Sequence, residues 1–134
     1  MNLVLSPGIL DQMISHARAS QPNEGCGLIA GKNGVADRLI PMENTLASPT
    51  AYEMAPAQLI AALRALRESG EELVAIYHSH PAGPSHPSSR DVDRAFYPEA
   101  THIIVSLERP ESPVVRGFRI IDGESLEIDL RAIV

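Results

Sequence analysis

The spacing of hydrophobic residues along the chain predicts two amphipathic helices. Apolar residues recur every three or four positions after Ser6-Pro7 and again after Pro56, so a helix is expected to begin at each site. The first helix is expected to run to about Arg18 with Ser6 as its cap, and the second to end at Gly70. The apolar stripe of the second helix consists of Leu59, Ile60, Leu63 and Leu66.

Continuous apolar runs and two turn signals predict the strands. Residues 73–77 are continuously apolar, as in a strand that is covered on both faces, and residues 101–107 are predicted to form another buried strand. Asn33-Gly34 and Asp122-Gly123 are dipeptides that suit tight hairpin turns. The strands expected to flank these turns cover residues 24–31, 35–42, 114–121 and 124–130. This order of elements predicts an α/β protein with a mixed, largely antiparallel sheet.

Composition and charge favour one soluble domain over residues 1–134, located in the cytoplasm. The chain is 44% hydrophobic and 21% charged, and no apolar run approaches the roughly 20 residues of a membrane span. The start of the chain lacks the features of a signal peptide. The one cysteine, Cys26, excludes an internal disulfide, and we expect it to be buried rather than nucleophilic. The net charge of −6 argues against nucleic acid as a partner, because phosphate binding needs a basic face.

The residues that carry chemistry are concentrated in the stretch 78–91, directly after a buried strand. His78 and His80 are two positions apart, so on an extended chain both side chains point to the same side. A loop rich in proline and glycine follows and ends at Ser88, which is placed to cap a short helix with Asp91 in its first turn. Two imidazoles and one carboxylate leave a fourth position open, an arrangement typical of catalytic zinc.

Each of these residues also has a purely structural explanation. Strand-end histidines are often only hydrogen-bonded, and Asp91, three residues after Ser88, can close a capping box. The spacing H-x-H-x7-S-x2-D arises by chance in roughly one such chain in a thousand, so the joint match favours a metal site. A zinc-activated water also needs a proton acceptor, for which Glu24, just before a glycine-rich strand, is the preferred candidate. The competing carboxylates are Glu43, Glu53 and Glu99.

Other polar residues are expected to have mainly structural roles. His16 lies off the apolar stripe of its helix and is expected at the surface, and His86 in an exposed loop. His102 opens an apolar strand and is expected in the core with its hydrogen bonds satisfied. Ser79 is expected to contribute main-chain contacts or packing near the metal. Tyr52 fits the rim of a substrate cleft and an ordinary loop equally well.

The combined pattern resembles the motif of the JAMM/MPN+ zinc metalloproteases, in the compact form of bacterial single-domain members. The resemblance covers essentially the whole chain. It implies a cytidine-deaminase-like JAMM/MPN fold, in which a curved, mixed and mostly antiparallel sheet is flanked by helices. The residues that carry it are His78-Ser79-His80-Pro81, Ser88 and Asp91, with the segment 24–31, Asn44, Tyr52 and the turn at 121–123.

The resemblance also implies a role for each residue of the motif. His78, His80 and Asp91 match the ligands of one zinc ion per chain. Glu24 matches the general acid and base, and Ser88 matches a serine that helps to stabilise the oxyanion. The implied activity is hydrolysis of the peptide or isopeptide bond after the C-terminal Gly-Gly of a ubiquitin-like or sulfur-carrier protein, for example the release of cysteine from a carrier adduct.

Two other interpretations of the motif stay open. A non-catalytic MPN scaffold has the same fold, but such proteins usually lack the metal ligands, and all of them are present here. RadC-like proteins, which are linked to DNA repair, have a similar signature, but the acidic charge and the missing helical DNA-binding domain argue against this class. The conjugate that is cleaved, and whether the protein forms a homodimer, also stay open.

Overall fold

The computed structural model describes residues 2–133 and contains a mixed sheet that closes on itself. In space the strands follow the order β1-β3-β2-β4-β5-β6-β7, and β1 also pairs with β7. The β1/β3, β1/β7 and β4/β5 pairs are parallel and the other pairs are antiparallel, so the predicted mixed, mostly antiparallel sheet flanked by helices is confirmed. The elements are β1 (Asn2–Leu5), α1 (Ile9–Ser20), β2 (Cys26–Lys32), β3 (Val35–Met42), α2 (Pro56–Ser69), β4 (Glu72–His80), α3 (Ser89–Asp93), β5 (Thr101–Ser106), β6 (Val114–Ile121) and β7 (Glu124–Ala132).

The start of the chain differs from the prediction. Residues Asn2–Leu5 form a strand between β3 and β7, and four residues are too few to show a period that would predict it. Helix α1 begins at Ile9, and its cap is Gly8 in a left-handed conformation, with no side-chain cap bond. Ser6 is therefore not the cap. Its hydroxyl donates to Asp37, and its N–H bonds to the β3 main chain at 2.9 Å, so it prolongs the pairing of β1 with β3.

The side chains of strand β4 alternate between the two faces of the sheet, so the strand contributes to two hydrophobic cores. Tyr77 lies on the face covered by α1, where it packs in one cluster with Ile9 and Met13. Ile76 lies on the opposite face, in a cluster with residues of α2 such as Leu59. Full burial of one such aliphatic side chain is worth about 1.5–3 kcal/mol relative to exposure. The coverage of both faces explains the continuous apolar run that predicts this strand.

Helix α2 (Pro56–Ser69) covers the sheet with a narrower stripe than predicted. Leu66 is buried, and Leu59 and Leu63 pack partly against the cluster beneath them. Ile60 is 58% exposed, so its placement in the stripe is wrong. At about 100° per residue Ile60 projects roughly 60° beyond Leu63, toward solvent. No helix formed by residues 2–133 is both long and apolar enough to cross a membrane.

The predicted turns are confirmed by their backbone angles. Asn33 and Gly34 have φ values of +56° and +74°, and Asp122 and Gly123 have values of +53° and +78°. Two successive left-handed residues are the requirement of the hairpin turn that matches the twist of the flanking strands. Gly70, with φ +75°, ends α2 in the same left-handed region, as expected for a helix C-terminus.

Candidate metal centre

The last residues of β4 and the first turn of α3 bring three side chains to one point. His78 and His80 are nearly buried, and their Nε2 atoms lie 3.1 Å apart. The Oδ2 atom of Asp91 lies 3.2 Å from Nε2 of His78 and 3.0 Å from Nε2 of His80. The three groups that the spacing of the motif selects therefore converge in the structure.

These distances fit the donor atoms of a tetrahedral zinc site. Three atoms that each lie 2.0–2.1 Å from one metal ion are about 3.3 Å from one another, close to the observed 3.0–3.2 Å. Hydrogen bonds alone do not account for the cluster. If both imidazole nitrogens donate to the same carboxylate oxygen, they face each other as two donors. Two imidazoles and a carboxylate are a donor set that suits zinc.

The two imidazole rings are oriented by different contacts. His80 donates its Nδ1–H to the carbonyl of Pro84 at 2.7 Å, so in the neutral ring Nε2 is the unprotonated nitrogen and is directed at the cluster. His78 stacks on Tyr52, with ring centroids 4.7 Å apart and planes at 26°. Its Nδ1 is buried without a hydrogen-bond partner within residues 2–133. Tyr52 therefore lies directly against the site.

A capping box fixes the carboxylate of Asp91. The Ser88 hydroxyl accepts a hydrogen bond from the N–H of Asp91 at 3.1 Å, and the N–H of Ser88 donates to Asp91 Oδ2 at 2.9 Å. This Oδ2 is the atom that faces both histidines, so the helix cap and the site share one carboxylate. Because the Ser88 oxygen accepts from Asp91, its own hydrogen stays free to donate.

Glu24 lies just before β2, with its carboxylate near the two histidines. One of its oxygens and one ring nitrogen from each of His78 and His80 all lie within 4.8 Å of one another. The residue is 3% exposed, and Oε1 has no hydrogen-bond partner within the described residues. Burial raises the pKa of Glu24 to about 7, although the neighbouring His80 lowers it. A carboxyl group with this pKa can take up and release a proton near neutral pH.

The protonation states of Asp91 and His78 also suit metal binding. Burial alone would raise the pKa of Asp91, but hydrogen bonds with His78 and His80 outweigh it and hold the pKa well below its usual range. Burial lowers the pKa of His78. For His80, hydrogen bonds with Asp91 and Pro84 outweigh burial and raise the pKa. An ionised Asp91 and a neutral His78 are the protonation states that a metal requires of its ligands.

The segment 43–55, which has no periodic pattern in the sequence, is ordered around Asn44 and supports Glu24. The Asn44 side-chain amide donates to the carbonyls of Glu24 and Ala51, both at 3.0 Å. Its side-chain oxygen accepts two N–H groups of the same segment. The N–H of Glu24 donates to the carbonyl of Ser48 at 2.8 Å. Hydrogen bonds from this loop thus fix the main chain of Glu24.

A largely apolar cavity of about 290 Å³ opens beside His78 and Asp91. Sheet residues such as Leu28 line it, and Phe96, which is 70% exposed, stands at its rim. Arg90 and Arg94 also line it, together with the acidic Glu53. An apolar cavity that contains a few polar groups and adjoins a cluster of titratable residues is typical of a substrate site.

The remaining histidines and the cysteine are placed partly as predicted. His86 is exposed and Cys26 is fully buried, as expected, and burial raises the pKa of the Cys26 thiol to about 12. His102 is buried, but it lines the cavity and its Nε2 lacks a partner within residues 2–133, so the expectation of a fully satisfied core histidine is wrong. His16 is not a free surface residue either. It is half-buried, with Nδ1 3.1 Å from the hydroxyl of Tyr77, a contact that no local pattern predicts.

Sequence comparison extends the resemblance along nearly the whole chain. Residues 6–121 match the family described as prokaryotic homologs of the JAB domain. The CysO-cysteine peptidase of Mycobacterium bovis is 38% identical over 127 residues, which cover 93% of this chain and 87% of that protein. A probable TtuB-protein conjugate cleaving protease of Thermus thermophilus is also 38% identical over 127 residues, covering 94% of this chain and 81% of that protein.

Solved structures have the same fold. The solution structure of a protein from Desulfitobacterium hafniense has a TM-score of 0.87 and 32% identity, and the match covers 99% of this chain and 93% of that one. A JAB1/MPN domain protein of Archaeoglobus fulgidus has a TM-score of 0.65 and 22% identity, covering 96% of this chain and 97% of that one. The family match, the relatives and the fold agree with the motif, and the chain therefore belongs to the prokaryotic JAB branch of the JAMM/MPN+ family.

Proposed function

We propose that this protein is a zinc-dependent peptidase that hydrolyses the peptide or isopeptide bond after the C-terminal Gly-Gly of a ubiquitin-like or sulfur-carrier protein. The observation that carries the proposal is the convergence of His78, His80 and Asp91 on one point, with the buried carboxylate of Glu24 beside it. The relatives support the substrate class, since one is named a CysO-cysteine peptidase and another a TtuB-protein conjugate cleaving protease.

In this proposal His78, His80 and Asp91 hold one zinc ion. Zinc, when bound, supplies a Lewis acid that polarises a carbonyl and lowers the pKa of water to ~7. The chain itself prepares the donor atoms. The carbonyl of Pro84 keeps the proton of His80 on Nδ1, and the N–H of Ser88 holds Asp91 Oδ2 toward the histidines.

Glu24 carries the proton and Ser88 stabilises charge. Glu24 takes a proton from the attacking water and then gives one to the leaving amine, a role that suits a carboxyl group whose pKa is about 7. The Ser88 hydroxyl donates its free hydrogen to the oxyanion of the tetrahedral intermediate. A single donor of this kind is worth about 3 kcal/mol of transition-state stabilisation in other enzymes.

The burial of the site supports a glycine tail as the substrate. Glu24, His78 and His80 are each less than 10% exposed, so a chain without side chains reaches them most easily. In the proposal the adjoining cavity binds an apolar part of the substrate near the scissile bond. The free, buried thiol of Cys26 fits a cytoplasmic location.

The direct test combines metal content with cleavage. The purified protein is expected to contain one zinc ion per chain and to cleave a Gly-Gly carrier protein that is joined to cysteine or to a lysine side chain. Glu24→Gln is expected to retain zinc and to lose about 10²–10⁴-fold in kcat, the range of a general acid–base group. Glu99→Gln, at an exposed carboxylate, is the matched control. An unchanged rate in Glu24→Gln would exclude the mechanism, and zinc-loaded protein that cleaves neither conjugate would exclude the substrate class.

A further inference from the structure

Gly25 lies just before β2, and its N–H is bonded to a side chain of β4 instead of a main-chain carbonyl. Ser79 donates its N–H to the carbonyl of Gly25 at 2.9 Å, as in an ordinary antiparallel pair. The reciprocal N–H of Gly25 donates to the hydroxyl of Ser79 at 2.7 Å. Ser79 is fully buried and points to the face opposite that of His78 and His80. The peptide group between Glu24 and Gly25 is thus held from behind the metal centre.

The hydroxyl of Ser79 begins a chain of neighbouring polar groups. Because its oxygen accepts from Gly25, its hydrogen is free to donate, and the hydroxyl of Tyr77, two residues earlier on the same face of β4, lies beside it. The hydroxyl oxygen of Tyr77 lies 3.1 Å from Nδ1 of His16, within hydrogen-bond distance. Burial lowers the pKa of His16, so its ring is neutral and Nδ1 can accept. The Gly25 N–H, the hydroxyl groups of Ser79 and Tyr77 and the imidazole of His16 thus form a chain of neighbouring polar groups that ends on α1.

The space around Gly25 is closed by the same residues. A Cβ atom at this position would lie 2.8 Å from the hydroxyl oxygen of Tyr77 and 2.7 Å from that of Ser20. Ser20 itself donates to the carbonyl of His16 at 2.8 Å. The end of α1 and strand β4 therefore hold the Gly25 main chain closely, and a larger residue here would require both hydroxyl groups to move.

We propose that Ser79, supported by Tyr77 and His16, is a positioning residue for Glu24. This inference rests on the proposed role of Glu24 as the proton carrier. The Oε1 atom of Glu24 has no hydrogen-bond partner within residues 2–133, so the direction of the carboxylate depends on the main chain that bears it. Ser79 fixes that main chain at the Gly25 side.

The test compares variants that remove or keep the hydroxyl groups of this chain of polar groups. Ser79→Ala is expected to lower kcat on the carrier conjugate about 10- to 100-fold, because small misplacements of a catalytic group cost rates of this order. KM and zinc content are expected to stay unchanged, since the donor atoms lie on the other face of β4. Ser79→Thr keeps the hydroxyl and is expected to recover most of the rate. Tyr77→Phe is expected to lower kcat as well. The double variant with Ser79→Ala is expected to have a kcat close to that of Ser79→Ala alone.

Val105→Ala is the matched control for loss of core packing. Val105 pairs with Ser79 between β5 and β4, is fully buried, and takes no part in the chain. Its truncation is expected to lower the melting temperature and to leave kcat unchanged. The proposal is overturned by a Ser79→Ala protein with the wild-type kcat, or by an equal fall of kcat in Val105→Ala.

Amide hydrogen exchange at Gly25 separates this inference from the proposed function. The Gly25 N–H is expected to exchange slowly in the wild type and in Ser79→Thr, and faster in Ser79→Ala. If the wild type cleaves no conjugate, the proposed function fails, and the exchange still shows whether Ser79 holds the Gly25 peptide. Fast exchange at Gly25 in the wild type would show that Ser79 does not hold the Gly25 N–H, and would overturn the inference.

Discussion

His80 donates its Nδ1–H to the carbonyl of Pro84 at 2.7 Å, and this bond determines which ring nitrogen faces Asp91. The loop between β4 and α3 therefore does more than reverse the chain. It supplies the acceptor that selects one tautomer of His80, so Nε2 presents a lone pair to the cluster. In the same loop Ser88 orients Asp91, so two donor groups are prepared by one short segment.

Removal of the Asp91 charge is expected to abolish tight zinc binding. Asp91→Asn keeps the shape of the side chain, but it removes the ionised oxygen that faces both imidazoles. The measurement is zinc per chain after dialysis, by elemental analysis, with the shift of the melting temperature on addition of EDTA as a second readout. His86→Ala, in an exposed part of the same loop, is the control and is expected to retain zinc. Stoichiometric zinc in Asp91→Asn contradicts the ligand set.

Glu24→Gln is expected to stabilise the metal-free protein at neutral pH but not in acid. Folding raises the pKa of Glu24 from 4.5 to about 7, mainly through burial. Between these values the unfolded chain has released a proton that the folded protein keeps. The free energy of unfolding of the wild type therefore falls as pH rises through this window, by about 2 kcal/mol after allowance for partial contact with solvent.

The measurement is urea unfolding of EDTA-treated wild type and Glu24→Gln from pH 4.5 to above pH 7. The difference between the two proteins is expected to grow through this range and then to stay constant, since glutamine does not ionise. A difference that does not change with pH would show that the Glu24 pKa is not raised by folding.

Ser88 is expected to affect stability through the helix cap and the reaction rate through its contact with the oxyanion. Ser88→Ala removes the acceptor for the Asp91 N–H, and loss of such a cap costs about 1 kcal/mol of stability. It also removes the donor to the oxyanion, and kcat is expected to fall about 10²-fold or more. Ser88→Thr keeps both functions and is the control. A variant that loses stability but keeps its kcat would limit Ser88 to the helix cap.

Cys26 is expected to resist thiol reagents in the folded protein. The residue is fully buried, and burial raises the pKa of its thiol from 9.0 to about 12, which corresponds to about a thousand-fold less thiolate. The measurement is the rate of labelling by a thiol reagent in buffer and in denaturant. Cys26→Ala is expected to keep its cleavage activity. Fast labelling of the native protein that also stops cleavage contradicts a purely structural Cys26.

Phe96 is expected to contribute to substrate binding at the rim of the cavity. If the substrate covers this ring, Phe96→Ser removes about 1.5–3 kcal/mol of apolar burial, and KM is expected to rise at least about ten-fold. The melting temperature is expected to change little, since the side chain is 70% exposed. Ile60→Ser is the matched control, because Ile60 is also exposed but does not line the cavity. Equal KM values for the two variants would exclude a role for this rim.

The features that local rules control are the ones that the sequence predicts well. Two histidines on an extended segment share a face, and Ser88 and Asp91 form a capping box within one turn, so their arrangement needs little tertiary information. The approach of Glu24 depends on the pairing of Cys26 with His78, which no local pattern determines. The sequence favours Glu24 only over competing carboxylates, and the family resemblance strengthens that choice; the structure places the side chain beside the histidines.

Two further features depend on contacts between distant segments. Strand β1 has only four residues, and its identity as a strand comes from its partners β3 and β7. The contact of His16 with Tyr77 joins residues 61 positions apart, on a helix and a strand that the hydrophobic pattern treats separately. In both cases the tertiary structure overrides the local expectation. That expectation is a surface position for His16 and no helix or strand for the first residues.

The short strand β1 has a consequence for the solubility of the protein. It pairs with Asp129, Leu130, Arg131 and Ala132, and so covers the outer edge of β7 near the end of the chain. Without this cover β7 would present a row of free N–H and C=O groups, a template on which another copy could add a strand. Residues Asn2–Leu5 thus occupy the part of this edge on which another copy could otherwise pair.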